Sequence, residues 1–251
     1  MMPAGMRYCM LLLLVNCACT QSSEKDHETR NENPPSQGFD LANSDPAAVE
    51  LADSIMVAMG GRENWDNTRY ITWRFDGERE LAWDRRSGSV RIESFQDSAT
   101  YLFRVGDDGG RVRIGEKEVQ EPDSLSVMLR EVRNQWMNDL FWLVLPFRLK
   151  GDGVTLKYLG EERTDSARYN LLQIAISQGG ELPPGEYLAF VDLADDLIKM
   201  CSELDDDNLD ASDSMLRWDN YSKHDNILLP SPAGGNVRVH RRLPEEMFEE
   251  F

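Results

Sequence analysis

The side chains able to do bond chemistry are few and poorly spaced for it. His224 is followed by Asp225 in a polar turn, and His240 falls on the outer phase of a late alternating run. His27 lies in a polar stretch and reads as solvated linker. No Ser stands in a Gly-x-Ser-x-Gly elbow and there is no His-Glu-x-x-His pair, so neither an activated serine nor a zinc-peptidase helix is encoded. The acidic run 203–210 offers the oxygen ligands that calcium takes. However, Asp205, Asp206 and Asp207 are consecutive and the sharp-turn glycine of an EF-hand loop is missing, so a solvated hairpin loop is the simpler reading. Cys201 has no cationic neighbour in sequence to activate its thiol and reads as a small buried strand residue. The glycine pairs at 60–61, 109–110, 179–180 and 234–235 fall at element breaks and form neither a dinucleotide fingerprint nor a P-loop. The pattern predicts a non-enzyme that needs no metal and no cofactor.

A different chemistry, burial of apolar groups, is better represented. Trp73, Phe75, Trp83, Tyr101 and Phe103 share one phase of successive alternating runs. Trp136, Trp142 and Phe147 arrive from a helical segment, and Tyr158 follows in a later alternating run. Each such ring buries about 150–250 Å², so these residues are either core or the wall of an apolar pocket. A long sheet must curl, and a partly open barrel with large inward side chains either fills itself or holds an apolar ligand.

The elements that position these rings are legible from period and punctuation. Ser44-Asp45-Pro46 predicts an N-cap with Pro in the first helical turn, followed by an apolar face of Ala48, Leu51, Ala52, Ile55 and Met59 and a stop at Gly60-Gly61. Trp65 is expected in a short turn after it. From Arg69 the period becomes two, with breaks at Asp76-Gly77, Ser87-Gly88 and 107–110, which predicts antiparallel hairpins with one wet and one aromatic face. A second helix is expected after Pro122, capped by Asp123 or Ser124, with a stripe of Leu125, Met128, Leu129, Val132 and Trp136. The apolar run 141–147 is expected to join this helix to the later strands, with Pro146 ending it and Gly151-Asp152-Gly153 turning the chain. Further strands are expected at 154–159, 169–176, 187–192, 197–201, 215–221, 227–229 and 237–242. The fold class is α+β: about a dozen strands in one large curved antiparallel sheet, curled over two or three helices.

With 251 residues, 41% hydrophobic and 29% charged, the chain suits one sizeable domain. A formal net charge of −18 repels nucleic-acid phosphates and excludes them as partners. Residues 1–18 read as a signal: Arg7 is the basic start, Met10 to Val15 the short apolar run, and Ala18 a small residue before Cys19. This is a lipobox pattern that would leave Cys19 as a lipidated N-terminus attached to a membrane. A cleaved secreted protein, an uncleaved anchor, and lipidation at Cys17 are the alternatives. Residues 19–39 read as the lipidated Cys and a disordered tether, and 40–251 as a single domain. With Cys201 the only mature thiol besides Cys19, no internal disulfide is expected.

Several stretches resemble an uncharacterised family of LolA/LolB-like bacterial lipoproteins: the run 60–65, Trp73-Arg74-Phe75, Trp83-Asp84, 142–149 with Gly153-Val154, 183–187, 218–221, Leu229-Pro230 and 243–248. The chain departs from the pattern at 225–228, where relatives have a Gly before the late Leu-Pro. The resemblance implies an incomplete antiparallel β-barrel wrapped over helices with an apolar cavity between them. It also implies an acyl chain or a lipidated protein as cargo and a place in the bacterial envelope, on the periplasmic face of the outer membrane. A second reading is an envelope interaction or stress-sensing module whose core is self-filled; a third is an enzyme acting on an envelope polymer.

Overall fold

The computed structural model describes residues 33–75, 77–164, 167–179, 182–204, 215–218, 220–231 and 236–251. The signal-like segment, Cys19, most of the expected tether, and residues 205–210 of the acidic run lie outside them. The folded part begins earlier than expected. Ser36 N–H donates to the Lys150 carbonyl, Gly38 N–H donates to Asp152, and Phe39 is buried.

The first helix, α1 (Pro46–Ala58), starts as the sequence predicts, with Asp45 at the N-cap and Pro in the first turn. Asp45 makes no side-chain cap, however. Its carboxylate accepts from Tyr158 N–H at 3.0 Å, and Ser44 Oγ accepts from Leu156 N–H at 3.0 Å. Together with Asp40 and Asp45 N–H donating to the Val154 and Leu156 carbonyls, these bonds tie the chain before α1 to a sheet edge. Gly60 ends the helix at φ +110°, and a Cβ there would sit 2.1 Å from the Asn226 carbonyl oxygen, so only glycine lets the two backbones approach. Trp65 is not in a turn but in a short helix, α2 (Arg62–Asn67).

Seven strands then form an open antiparallel sheet in the order β14-β1-β2-β3-β4-β5-β6. They are β1 (Tyr70–Phe75), β2 (Arg79–Asp84), β3 (Ser89–Ser94), β4 (Ala99–Arg104), β5 (Gly110–Ile114), β6 (Lys117–Glu118) and β14 (Val237–His240). The register aligns the aromatic phase as predicted. Ile71, Trp83, Val90 and Phe103 make one cross-strand row, and Trp73, Leu81, Ile92, Tyr101 and Val112 the next. A short C-terminal helix, α4 (Glu246–Glu249), lies on the outer face. There Phe248 stacks on Tyr70, and Arg91 and Arg111 donate to carbonyls of residues 247–250.

The long helix α3 (Pro122–Arg148) runs to 27 residues and includes the whole run 141–147, with Pro146 inside it. The expectation that Pro146 ends the helix is corrected. Only one backbone bond is forfeited so close to the C-terminus, and the last turns are held by packing on both sides. The cap also differs: Glu121, not Asp123 or Ser124, accepts from the N–H groups of Asp123 (3.1 Å) and Ser124 (2.6 Å).

After the turn at Gly153 (φ +74°) a five-stranded sheet forms in the order β11-β10-β9-β8-β7. Its strands are β7 (Val154–Arg163), β8 (Arg168–Ile176), β9 (Gly185–Asp192), β10 (Ile198–Leu204) and β11 (Leu216–Arg217). The hairpin β12 (Tyr221–His224) and β13 (Ile227–Pro230) stands apart. The expected single curved sheet is therefore divided into a seven-stranded sheet, a five-stranded sheet and a hairpin, and the edges β6 and β7 on either side of α3 do not pair. The class is as predicted: open, mostly antiparallel sheet with few helices, fourteen strands among the described residues.

Candidate functional site

The two sheets share α3. Its first part lies against the seven-stranded sheet, where Trp136 meets Trp83 edge-on (5.9 Å, 79°) and Phe103 likewise (6.1 Å, 87°). A bidentate ion pair fixes this contact, with Arg79 Nε and Nη2 each 3.0 Å from an Asp139 carboxylate oxygen. Burial pushes the Asp139 carboxyl above its ordinary range, outweighing the pull of Arg79.

Beside this contact the packing opens into a cleft of about 510 Å³. One wall is α3, through Trp136, Met137, Leu140, Val144 and Arg148. Another is the β2–β3 turn, from Trp83 through Arg85, Arg86 and Ser87 to Gly88, with Val105 from the end of β4. Leu182, ahead of β9, contributes from the second sheet. Asp84 builds the turn. Its carboxylate takes Arg69 through two bonds (3.0 and 2.8 Å) and accepts from Arg86 N–H at 3.0 Å. Burial alone would raise the Asp84 carboxyl, but Arg69 and the turn N–H groups outweigh it and hold it below the ordinary range. Arg85 turns inward, 3.6 Å above the Trp65 ring, and donates to the Trp65 and Thr68 carbonyls.

Among the described aromatic residues expected to line a cavity, only Trp83 and Trp136 line this cleft. Trp73, Tyr101, Phe103 and Phe147 are buried core, and Phe147 is stacked on Trp65 at 4.0 Å. Trp142 is half-buried against Phe141 and Trp218. Tyr158 is half-buried, its hydroxyl donating to Asn170 at 2.9 Å. The side chain of Phe75 lies outside the described residues. Sequence reasoning missed the rim arginines, Leu182, and the continuation of the α3 stripe through Leu140 and Val144. That last signal was present, since Trp136, Leu140 and Val144 recur every four residues.

The polar candidates are placed without a reactive arrangement. Cys201 is buried, which pushes its thiol up to about 12. His240 Nε2 lies 2.8 Å from Thr72 Oγ1 and His224 Nε2 2.8 Å from Ser222 Oγ, and burial lowers both imidazoles below their ordinary value. Among the described residues no group of three or more His, Cys, Asp or Glu is placed to hold a metal ion, and no helix is long and apolar enough to cross a membrane.

No protein-family profile matches the chain, and no curated protein matches it. Among solved structures it is similar to a DUF1329 family protein from Desulfovibrio piger (13% identity, TM-score 0.42, covering 82% of this chain and 98% of that one). It is similar to a structure described as an outer membrane lipoprotein-sorting protein domain from Vibrio parahaemolyticus (8% identity, TM-score 0.41, 81% and 97%). A LolA superfamily protein from Nitrosomonas europaea is also similar (10% identity, TM-score 0.32, 78% and 96%). With TM-scores below 0.5, these likenesses assign neither a family nor a function.

Proposed function

We propose that this chain is a cell-envelope binding protein that takes up an apolar chain in the cleft between α3 and the first sheet, without making or breaking bonds. The observation that carries the reading is the cleft itself. Its size, about 510 Å³, falls within the roughly 300–1,000 Å³ of small-molecule sites, and its floor is Trp83, Trp136, Leu140 and Val144. Each methylene moved from water onto such a floor contributes about 0.8 kcal/mol before ordering costs. The resemblance read from the sequence supplies the cargo class, an acyl chain or a lipidated protein. It also supports attachment through a lipidated Cys19 at the periplasmic face of the outer membrane, which a Cys19→Ala variant released to the soluble fraction would test.

The binding reading is tested with the neutral fluorescent probe N-phenyl-1-naphthylamine. Wild type should bind it and Met137→Trp, which fills the cleft, should not. Equal binding by both would place the probe elsewhere and overturn the assignment.

A further inference from the structure

The cleft differs in charge from the rest of the molecule. The chain carries a formal net charge of −18, yet among the described residues the cleft lining includes Arg85, Arg86 and Arg148 and no carboxylate. Other clefts of similar size mix the signs: one on the outer face sets Arg69 and Arg104 beside Asp84, Asp107 and Glu245, and one at the end of β8 sets Arg163 and Arg168 beside Asp192. The three arginines are not equivalent. Arg85 is held inward by Trp65 and the carbonyls beneath it. Arg86 is exposed, and its guanidinium pairs with no described residue. Its place is nevertheless fixed, because the Asp84 carboxylate holds its backbone N–H. Arg148 reaches the same cleft from the last turn of α3 and already has a partner in the molecule, with the Asp152 carboxylate in electrostatic reach.

We infer that the cleft takes a long-chain fatty acid, its acyl chain along Trp83, Trp136, Leu140 and Val144 and its carboxylate between Arg86 and Arg148. The guanidinium fork matches a planar carboxylate and holds it through charge-assisted hydrogen bonds. A methylene fills about the volume of one water, ~30 Å³, so a cleft of about 510 Å³ has room for one long chain. The inference rests on this cleft being the binding site proposed above.

The test displaces N-phenyl-1-naphthylamine from the full-length chain with palmitate, hexadecanol or palmitoyl lysophosphatidic acid, below their micelle-forming concentrations. Palmitate should act at about tenfold lower concentration than hexadecanol. The Arg86→Gln/Arg148→Gln variant should bring the palmitate and hexadecanol concentrations together. Arg86→Gln alone, at an exposed position that folding does not depend on, should narrow the gap. Equal displacement by palmitate and hexadecanol in the wild type overturns the anionic head and leaves the apolar cleft standing. Displacement by the lysophosphatidic acid but not by palmitate overturns the carboxylate. Failure of the probe to bind, or its undiminished binding to Met137→Trp, overturns the cleft reading itself.

Discussion

Two groups of aromatic rings meet α3, one on each sheet, and they pack differently. On the second sheet Phe141 lies 4.6 Å from Tyr187 and 5.1 Å from Trp142, and Trp142 lies 5.0 Å from Trp218. On the first sheet Trp136 meets Trp83 and Phe103 edge-on near 6 Å, and the cleft opens beside that contact. Residue type does not separate the groups; both are rich in tryptophan. The difference lies in what closes them. The second group lies against Tyr187 of β9 and Trp218 just after β11, whereas the first ends at the β2–β3 turn, where Ser87 and Gly88 offer little side chain to fill the space. An aromatic face thus becomes a pocket where a turn, not a strand, is its neighbour.

The contrast can be broken by mutation. Phe141→Ala should cost about 3–5 kcal/mol, as a truncated core aromatic does, because Phe141 is buried among Tyr187, Trp142 and Trp218. Urea denaturation measures this, and the folded variant should still bind the neutral probe; loss of binding would show that the two groups act as one. Asp139→Asn should cost about 3 kcal/mol by removing the charge from the largely buried bidentate pair with Arg79, whose other ion pair, to Glu78 at 3.6 Å, is more exposed. Unlike Phe141→Ala, it should also weaken the probe, since it loosens α3 from the first sheet. Met137→Trp should weaken the probe by more than about tenfold, ~1.4 kcal/mol in binding, with the denaturation midpoint nearly unchanged.

The smallest effect expected is on Asp84. Its carboxyl is held below the ordinary value of 3.8 in the folded chain, so its contribution is present above that pH and lost as pH falls through the depressed folded value. Asp84→Asn should therefore cost about 1 kcal/mol at pH 7, and the gap to wild type should close below about pH 4. A gap that persists in acid would mean that the turn depends on Asp84 for shape and not for charge.

Much of the scaffold is legible in the sequence because one sheet face is wet. Alternation from Ile71 to Val112 marks the inward phase, and the register keeps it, while Ile114 at the end of β5 is exposed. The C-terminal part of α3 is hard to read from sequence for the opposite reason. Residues 141–147 are buried except for half-buried Trp142, so the helix end lacks a polar face and its period disappears into a continuous apolar run. The cleft was legible only as an aromatic content. Arg85 and Arg86 look like turn residues, and nothing in their local sequence announces that Arg148 and Leu182 will face them.

The bonds that run from residues 36–45 to the second sheet have a consequence for the chain's dealings with its own copies. The Val154 and Leu156 carbonyls and the Leu156 and Tyr158 N–H groups of β7, an outermost strand, already have partners inside the molecule. This half of the border offers no ladder on which a strand from a second molecule could crystallise an aggregate. The segment that leads into the domain thus also acts as its selvedge.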